Sequence, residues 1–303
     1  MQLLNPVRYV TRSRGAALVA TGALAISACL VATVGQAVAQ HNRLISVGGA
    51  VTEVVYALEQ EDRLIAVDST SLYPPEAQDL PGVGYLRQLS AEPLLALDPD
   101  LLLADADAGP PETIRQLKDA GLPVIRFDNE DSPDGVITRV RAIAETLGVS
   151  AAGEELVARL EREFAAAQDH VAKQTATPSV LFLLSVGNGA PLAGGRGTSA
   201  HAMIGLAGGR NAAADFEGYK PLSPEAAAAL APDVLLLDSR SLQALGGRDA
   251  LLRRPEVAVT PAAQAGRIID MDGLLLLGFG PRTPQAIRQL AEALHTASEP
   301  EAQ

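Results

Sequence analysis

Two tyrosines, each with a cation close by in the sequence, are the residues whose types and spacing could do chemistry. Tyr85 lies two positions before Arg87, and Tyr219 lies directly before Lys220. A free tyrosine loses its proton at about pH 10, but an arginine can donate hydrogen bonds to the phenolic oxygen and favour the phenolate. A phenolate can ligate ferric haem iron. Tyr85 with Arg87 is therefore a candidate iron-binding pair, and the alternative is a tyrosine packed in a loop beside a solvated arginine.

A single histidine could supply a further ligand. His201 follows a glycine-rich turn at residues 194–197, where a helix is expected to begin. A lone histidine is more often a cap or a surface residue than a ligand, so both interpretations stay open. The turn lacks the Gly-Lys-Ser/Thr ending of a phosphate-binding loop and the complete dinucleotide-binding pattern, so it indicates neither strongly.

An internal repeat indicates the elements that must position these residues. Residues 89–105 and residues 222–238 are similar in sequence. Each copy predicts a serine N-cap, a short apolar helix, a Pro-Asp turn and a buried strand. The offset between the copies is far longer than that of solenoid repeats, so it indicates two homologous lobes.

Short apolar runs between helical stretches predict parallel α/β lobes. A further stretch, residues 151–174, contains no proline and spaces its apolar residues as a helix does. The predicted fold class is α/β, with two similar parallel-sheet lobes joined by a single long helix and a ligand cleft between the lobes. A helical connector also predicts that the lobes do not close like a clamshell. The predicted strands are residues 44–47, 64–67, 101–104, 124–127, 180–186, 234–237 and 268–271.

The N-terminus predicts export. Three arginines precede an apolar run at residues 15–34, and a small-x-small site follows at residues 37–39. This pattern predicts a signal peptide cleaved after Ala39 and a mature protein in the periplasm. Two alternatives are a retained membrane anchor and a lipoprotein acylated at Cys29. The predicted organisation is therefore a signal peptide at 1–39, an N-terminal lobe at 40–150, the connecting helix at 151–175 and a C-terminal lobe at 176–303.

Charge and cysteine content exclude several classes of function. The formal net charge is −12, and the predicted signal peptide has no acidic residue, so the mature chain is more acidic still and poorly suited to nucleic acid. Cys29 is the only cysteine, so the mature chain could form no disulfide, cysteine nucleophile or cysteine-based metal site. Paired histidine ligands and a Gly-x-Ser-x-Gly elbow are also missing. Asp105 and Asp107 are close carboxylates, but loops after strands often carry such residues for capping. We therefore do not expect an enzyme.

Several segments carry a resemblance to a known family. Over nearly all of the predicted mature chain, the sequence resembles the haem-binding periplasmic proteins of Gram-negative haem ABC importers. The Gly-Tyr-x-Arg-x-Leu-Ser pattern at residues 84–90 is its most specific part. The matching segments are residues 47–58, 67–71, 83–92, 197–203, 218–223 and 278–284.

The resemblance implies a function and a set of site residues. A protein of this kind captures haem and delivers it to an ABC permease, so haem would be its transported ligand. Tyr85 would coordinate the iron and Arg87 would support it. By position in the repeat, Tyr219 and Lys220 would face the same cleft as Tyr85 and Arg87. Lys220, Arg196 and Arg282 are cleft-side candidates to pair with the two propionates, and the alternative for each is an ordinary surface charge.

The resemblance also bears on the number of iron ligands. Some members of the family add a histidine just after the first strand of the second lobe. Residues 185–188 contain no histidine, so five-coordinate iron is the expectation. His201 is the obvious substitute if a second ligand exists.

Two glutamates at matching positions of the repeat suggest a docking surface. Glu92 and Glu225 each follow the predicted capping serine by two residues. An acid is favoured electrostatically in a first helical turn, which is one explanation. The other is implied by the resemblance, since related proteins dock one such glutamate per lobe on arginine pockets of the inner-membrane permease.

Partners and alternatives complete the prediction. We expect a monomer that binds haem and an inner-membrane ABC permease, with an outer-membrane haem receptor system upstream. The main alternative is a receptor for a ferric siderophore or cobalamin on the same scaffold, which would need no axial tyrosine. A second alternative is an exported enzyme with its active site between the lobes.

Overall fold

The computed structural model of the protein describes residues 42–184 and 189–296. The first half alternates strands with helices. In chain order, its elements are β1 (Leu44–Val47), α1 (Gly49–Ala57), β2 (Leu64–Val67), α2 (Ala91–Leu95), β3 (Leu101–Asp105), α3 (Pro111–Asp119), β4 (Val124–Phe127) and α4 (Pro133–Leu147). Short 3-10 helices span Glu61–Arg63, Pro75–Asp79 and Leu86–Gln88.

A long helix, α5 (Ser150–Ala172), leads into the second half. There, short strands and helices succeed one another more densely. The elements are β5 (Ser179–Leu184), β6 (Leu192–Gly194), α6 (Ser199–Leu206), β7 (Arg210–Asn211), β8 (Tyr219–Pro221), α7 (Pro224–Leu230), β9 (Val234–Asp238), α8 (Ser239–Ala244), α9 (Arg248–Leu252), α10 (Pro255–Ala258), α11 (Pro261–Gln264), β10 (Ile268–Met271), α12 (Gly273–Leu277) and α13 (Thr283–Thr296).

The first-half sheet is parallel throughout, in the order β2-β1-β3-β4. Its central strands β1 and β3 are almost fully buried, because their apolar runs are covered on both faces by helices. Parallel strands end at one common edge of the sheet. The loops after β2, β3 and β4 therefore lie side by side there, which is where ligands bind in open α/β sheets.

The second sheet has the order β10-β9-β5-β6-β8, with β7 beside β5. Strands β10, β9 and β5 are parallel, as predicted, and β7 also pairs parallel with β5, whereas β6 and β8 run antiparallel to their neighbours. The sequence did not indicate the short strands β6, β7 and β8. The α/β class with two related sheets is confirmed, but the lobes are not equal, because this antiparallel edge has no counterpart in the first sheet.

The helices begin and end close to the predicted positions. The connecting helix was expected at residues 151–174, and α5 spans Ser150–Ala172. Gly148 ends α4, the helix before it, in a left-handed conformation with φ 75°. Of the two predicted serine caps, Ser223 accepts a hydrogen bond from the Ala226 N–H at 3.2 Å, but Ser90 occupies the N-cap position without a side-chain hydrogen bond to its helix.

One apolar cluster lies between the two sheets and joins them. It contains residues from β1, β3 and α1 as well as from β5, β9 and α13, with the buried face of α5 between them. Close contacts accompany it. A Cβ atom added to Gly49 of α1 would lie 2.5 Å from Leu274 Cδ1 of α12 and 2.5 Å from the Thr70 carbonyl oxygen. The two halves therefore share a core. Among the described residues, no helix has the length and apolar character needed to cross a bilayer.

Candidate functional site

Backbone hydrogen bonds on both sides fix the loop that carries Tyr85. Before it, the Val83 N–H donates to the Val67 carbonyl at 2.9 Å and the Ser69 N–H donates to the Gly84 carbonyl at 2.8 Å. Gly84 has φ 90°, a left-handed conformation that glycine adopts without strain. Tyr85 is thus presented at the edge of the first sheet where β2 ends.

The chain after Tyr85 is joined to the loop that follows β3. The Gly109 N–H donates to the Leu86 carbonyl and the Leu89 N–H donates to the Gly109 carbonyl, each at 2.8 Å. These reciprocal bonds hold the two loops in one register. As a result, Arg87 of the first loop faces Asp107 of the second.

Arg87 contacts Tyr85 and Asp107 at the same time. Its Nη1 donates to the Tyr85 phenolic oxygen at 2.8 Å, and its Nη2 forms an ion pair with Asp107. Partial burial disfavours the charged guanidinium, but the hydrogen bonds and charges of Tyr85 and Asp107 outweigh it and raise the pKa of Arg87. Tyr85 is 39% exposed, so its oxygen can reach a ligand while Arg87 holds it.

Tyr219 lies opposite, on β8 of the second sheet. Its ring packs edge-on against Phe182, with 6.5 Å between centroids. Burial and the charge of Asp131 raise the pKa of Tyr219, against smaller opposing effects of Arg87 and the Thr198 hydroxyl. Tyr219 is therefore a protonated phenol at neutral pH, a hydrogen-bond donor facing the first-half loops.

Carboxylates that the sequence did not single out for this role complete the site. Burial raises the pKa of Asp131, opposed by a hydrogen bond with Ser199 and the charge of Arg139, while the charges of Asp105 and Asp107 raise it further. Asp131 belongs to the first half and Ser199 to the second, so this contact joins the two walls. The only available signal in the sequence was that these carboxylates follow the ends of β3 and β4.

The predicted cations have different surroundings. Lys220 is exposed, with its Nζ 5.1 Å from the centroid of the Phe216 ring. Arg196, also considered for this role, donates to the Ala214 carbonyl. Lys220 lies next to Tyr219 on β8, but successive side chains of a strand point to opposite faces, so Lys220 as a haem-site residue stays a prediction.

Arg282 is held by a carboxylate of the other half. Its Nε and Nη2 donate to the two oxygens of Glu53 at 3.0 and 2.6 Å, and its guanidinium lies 3.5 Å from the centroid of the Tyr73 ring. The side chains of Arg282 and Glu53 are 17% and 4% exposed. Arg282 as a partner for an anionic ligand stays a prediction, and such a ligand would have to compete with Glu53.

His201 lies in the first turn of α6, half-buried. Its Nδ1 is 3.2 Å from the Asn211 side-chain nitrogen. The Asn211 oxygen accepts from the Ala213 N–H, which assigns the amide nitrogen to the histidine. In neutral His201, Nδ1 is then the acceptor and Nε2 carries the proton, an arrangement that leaves no free nitrogen lone pair for iron. Within the described residues, no group of three or more His, Cys, Asp or Glu side chains could hold a metal ion, and residues 185–188 lie outside them.

Glu92 and Glu225 are both exposed in first helical turns, of α2 and α7. The Glu225 backbone N–H and the Ser223 hydroxyl hold the pKa of Glu225 below its usual value. Both carboxylates are therefore available to an external partner, in equivalent positions of the repeat.

Comparisons with known proteins place this site in context. Residues 44–274 match the family model described as periplasmic binding protein. The fold is similar to that of a periplasmic haem-binding protein from Roseiflexus sp. RS-1, with 44% identity, a TM-score of 0.83 and coverage of 86% of this chain and 100% of that one. A periplasmic haem-binding protein from Pseudomonas aeruginosa is 36% identical, with a TM-score of 0.79 and coverage of 86% of this chain and 95% of that one. A vitamin B12-binding protein of Vibrio cholerae is 25% identical over 257 residues, 84% of this chain and 90% of that protein.

Proposed function

Because this chain belongs to the periplasmic binding protein family, we propose that it captures haem and delivers it to the permease of an ABC importer. The observation that carries the proposal is the Tyr85 phenolic oxygen, exposed at the cleft and hydrogen-bonded by Arg87 at 2.8 Å. Family and structural relatives are substrate-binding transport proteins, not enzymes.

The proposed chemistry is axial ligation of ferric haem by the Tyr85 phenolate. The Arg87 N–H donates to the phenolic oxygen and stabilises negative charge on it, as hydrogen-bond partners of metal ligands do. Tyr219 would donate a hydrogen bond from the opposite wall, since its own phenol stays protonated. Lys220, and Arg282 if released from Glu53, would pair with propionates.

Haem is favoured over cobalamin by two observations. The haem-binding relatives reach 44% identity against 25% for the vitamin B12-binding relative. A cobalamin or siderophore receptor would also have no use for an arginine-supported phenol at the cleft. We therefore keep haem as the ligand, with one tyrosine and no histidine on the iron.

The family also bears on place and partner. Proteins of this family are exported and hand their ligand to an inner-membrane permease. Cleavage after Ala39, acylation at Cys29, the monomeric state and an outer-membrane receptor upstream stay predictions, and both Ala39 and Cys29 lie outside the described residues. We propose that Glu92 and Glu225 contact the permease.

A haemin titration tests the proposed function. Wild-type protein should give a shifted Soret band and a high-spin ferric spectrum, and Tyr85→Phe should lose that spectrum and bind haemin about 10- to 100-fold more weakly, because the iron ligand is gone. Tyr219→Phe is the matched control. It removes the other cleft hydroxyl but keeps the ring on Phe182, so it should keep the wild-type spectrum.

The titration has an outcome that would contradict the proposal. An unshifted Soret band in wild type, together with saturable cobalamin binding in the same buffer, would assign the protein to the alternative. A wild-type spectrum that survives in Tyr85→Phe would remove Tyr85 as the ligand.

A further inference from the structure

Arg87 is a long, half-exposed side chain with many accessible rotamers, and one of its two contacts explains why it stays on Tyr85. The exposed fractions of the Arg87 and Asp107 side chains are 55% and 51%. The Asp107 carboxylate accepts a hydrogen bond from Arg87 Nη2, while Arg87 Nη1 donates to the phenolic oxygen. A guanidinium presents its donors in a rigid planar fork, so fixing one branch orients the other.

Asp107 is itself held in place. Its backbone N–H donates to Asp105 Oδ1 at 2.8 Å, and the same oxygen accepts from the Asn129 side chain. The backbone bonds of Gly109 with Leu86 and Leu89 join this loop to the loop of Tyr85. The backbone that carries the Asp107 carboxylate is therefore held in place beside Arg87.

We propose that Asp107 is a positioning residue for the iron-binding tyrosine, acting through Arg87. The inference rests on the proposed function and adds a third member to the site. Its role is to keep one Arg87 N–H on the phenolate. Asp107 contacts Arg87 Nη2, whereas the phenolic oxygen is contacted by Nη1.

Removing the Asp107 carboxylate has two opposing effects on the hydrogen bond between Arg87 and the phenolate. Without its counter-charge, an Arg87 that stayed in place would pull more strongly on the phenolate. Without its anchor, Arg87 would leave the phenolate for solvent. The site is half-exposed, where solvent and salt screen charges, so the loss of the anchor outweighs the loss of the counter-charge.

The wavelength of the phenolate-to-iron charge-transfer band of the ferric haem complex shows which of the two effects is larger. A hydrogen bond lowers the energy of the filled phenolate orbital, so its loss moves the band to longer wavelength. We expect Asp107→Asn to shift the band to longer wavelength, in the same direction as Arg87→Ala and less far. We also expect haem transfer to an excess of a haem-scavenging protein to be about 3- to 10-fold faster than from wild type, a smaller effect than the usual loss of a hydrogen-bond partner of a metal ligand.

A double variant tests whether Asp107 acts through Arg87. In the Arg87→Ala background, Asp107→Asn should change neither the band nor the transfer rate, because the residue it positions is gone. Asp107→Glu, which restores a carboxylate, should recover most of the wild-type band position. The matched control is Asp119→Asn at the exposed end of α3, which alters the net charge equally and should behave as wild type.

The outcomes separate this inference from the proposed function. The positioning role is overturned if the charge-transfer band of Asp107→Asn moves to shorter wavelength, or if its position equals that of the Asp119→Asn control. Ligation by Tyr85 would stand in either case. A wild-type protein without a Tyr85-dependent spectrum overturns the proposed function first. Thermal unfolding of each variant shows that an altered spectrum does not come from a misfolded chain.

Discussion

At the residue scale, the surroundings of two arginines decide what each is free to do. Arg87 is half-exposed and divides its donors between a phenol and a carboxylate. Arg282 is half-buried, and its donors Nε and Nη2 both bind Glu53. The first arrangement stabilises negative charge on the Tyr85 phenolic oxygen, which faces the cleft. The second ties α1 to the segment before α13, so its main effect is expected on stability.

We predict that Glu53→Gln lowers the free energy of unfolding by about 2–4 kcal/mol, because its NH2 group replaces one of the two oxygens that accept from Arg282 and leaves a guanidinium donor unpaired. Burial raises the pKa of Glu53 above 4.5 in spite of Arg282. An acid with a raised folded pKa contributes stability that is complete below its unfolded pKa and is lost as pH rises through the folded value. The gap between wild type and variant should therefore widen as pH falls from 7 towards 4.5, measured by urea unfolding.

A matched control for this variant lies within one half of the chain. Glu256→Gln breaks another buried pair, in which Glu256 is 2.8 Å from Arg254. Both variants should lose stability. Both should bind haemin within about twofold of wild type if the role of Arg282 is to hold α1 against the segment before α13. Much tighter haemin binding by Glu53→Gln alone would instead show that freeing Arg282 provides a propionate partner.

The sequence could predict contacts between residues that are close along the chain. Tyr85 and Arg87 are two positions apart, and the predicted hydrogen bond between them is present. The pairing of Glu53 with Arg282 bridges 229 positions and depends on how the two sheets pack, so a single sequence gave no sign of it. Asp107 was interpreted as a capping residue, because its partner became visible only once the loops after β2 and β3 were side by side.

At the element scale, burial explains which strands could be predicted. β1, β3, β5 and β9 are apolar because helices cover both faces, and the structure confirms these strands, with residues 185–186 of the predicted fifth strand outside the described residues. β6, β7 and β8 have two or three residues each, and β6 ends in glycine and β8 in proline. Their pairing comes from the sheet they join rather than from their own sequence, so no local pattern marked them.

Helix α1 packs so closely on the second half that one added methyl group should lower the stability of the protein. We predict that Gly49→Ala destabilises the protein by about 1–3 kcal/mol, since its Cβ would overlap Leu274 and the Thr70 carbonyl. Gly205→Ala in α6 is the control. No atom lies within 4 Å of its added Cβ, so the helix propensity of alanine should stabilise the protein by about 0.5–1 kcal/mol. Urea unfolding of both variants measures the difference, and equal stabilities would contradict the close packing.

At the scale of the whole molecule, the shared core and the cross-contacts act on one quantity, the width of the cleft. Arg139 of α4 donates to the Phe279 carbonyl of the second half at 3.0 Å, and Phe279 has φ 49°, an uncommon conformation for a bulky residue. Together with α5 and the Glu53–Arg282 pair, this contact favours a cleft of fixed width. The absence of clamshell closure stays a prediction, now with these contacts in its support.

A protein of fixed shape has to meet its permease through surface groups. We predict that the double variant Glu92→Ala/Glu225→Ala binds haemin as wild type does but stimulates the ATPase of its reconstituted permease at least about tenfold less, because two charged contacts are lost. Glu145→Ala/Glu155→Ala, which removes two exposed glutamates from α4 and α5, is the control. An undiminished ATPase response in the first variant would leave the helix dipole as the explanation for both glutamates.

The core that the two halves share also constrains ancestry. The repeat indicates that the halves arose by duplication of one shorter chain. Such a chain, folded alone, would have left the inner apolar face of its sheet uncovered. An ancestor of one lobe therefore needed another surface to cover that face, and in this chain each half provides that surface for the other.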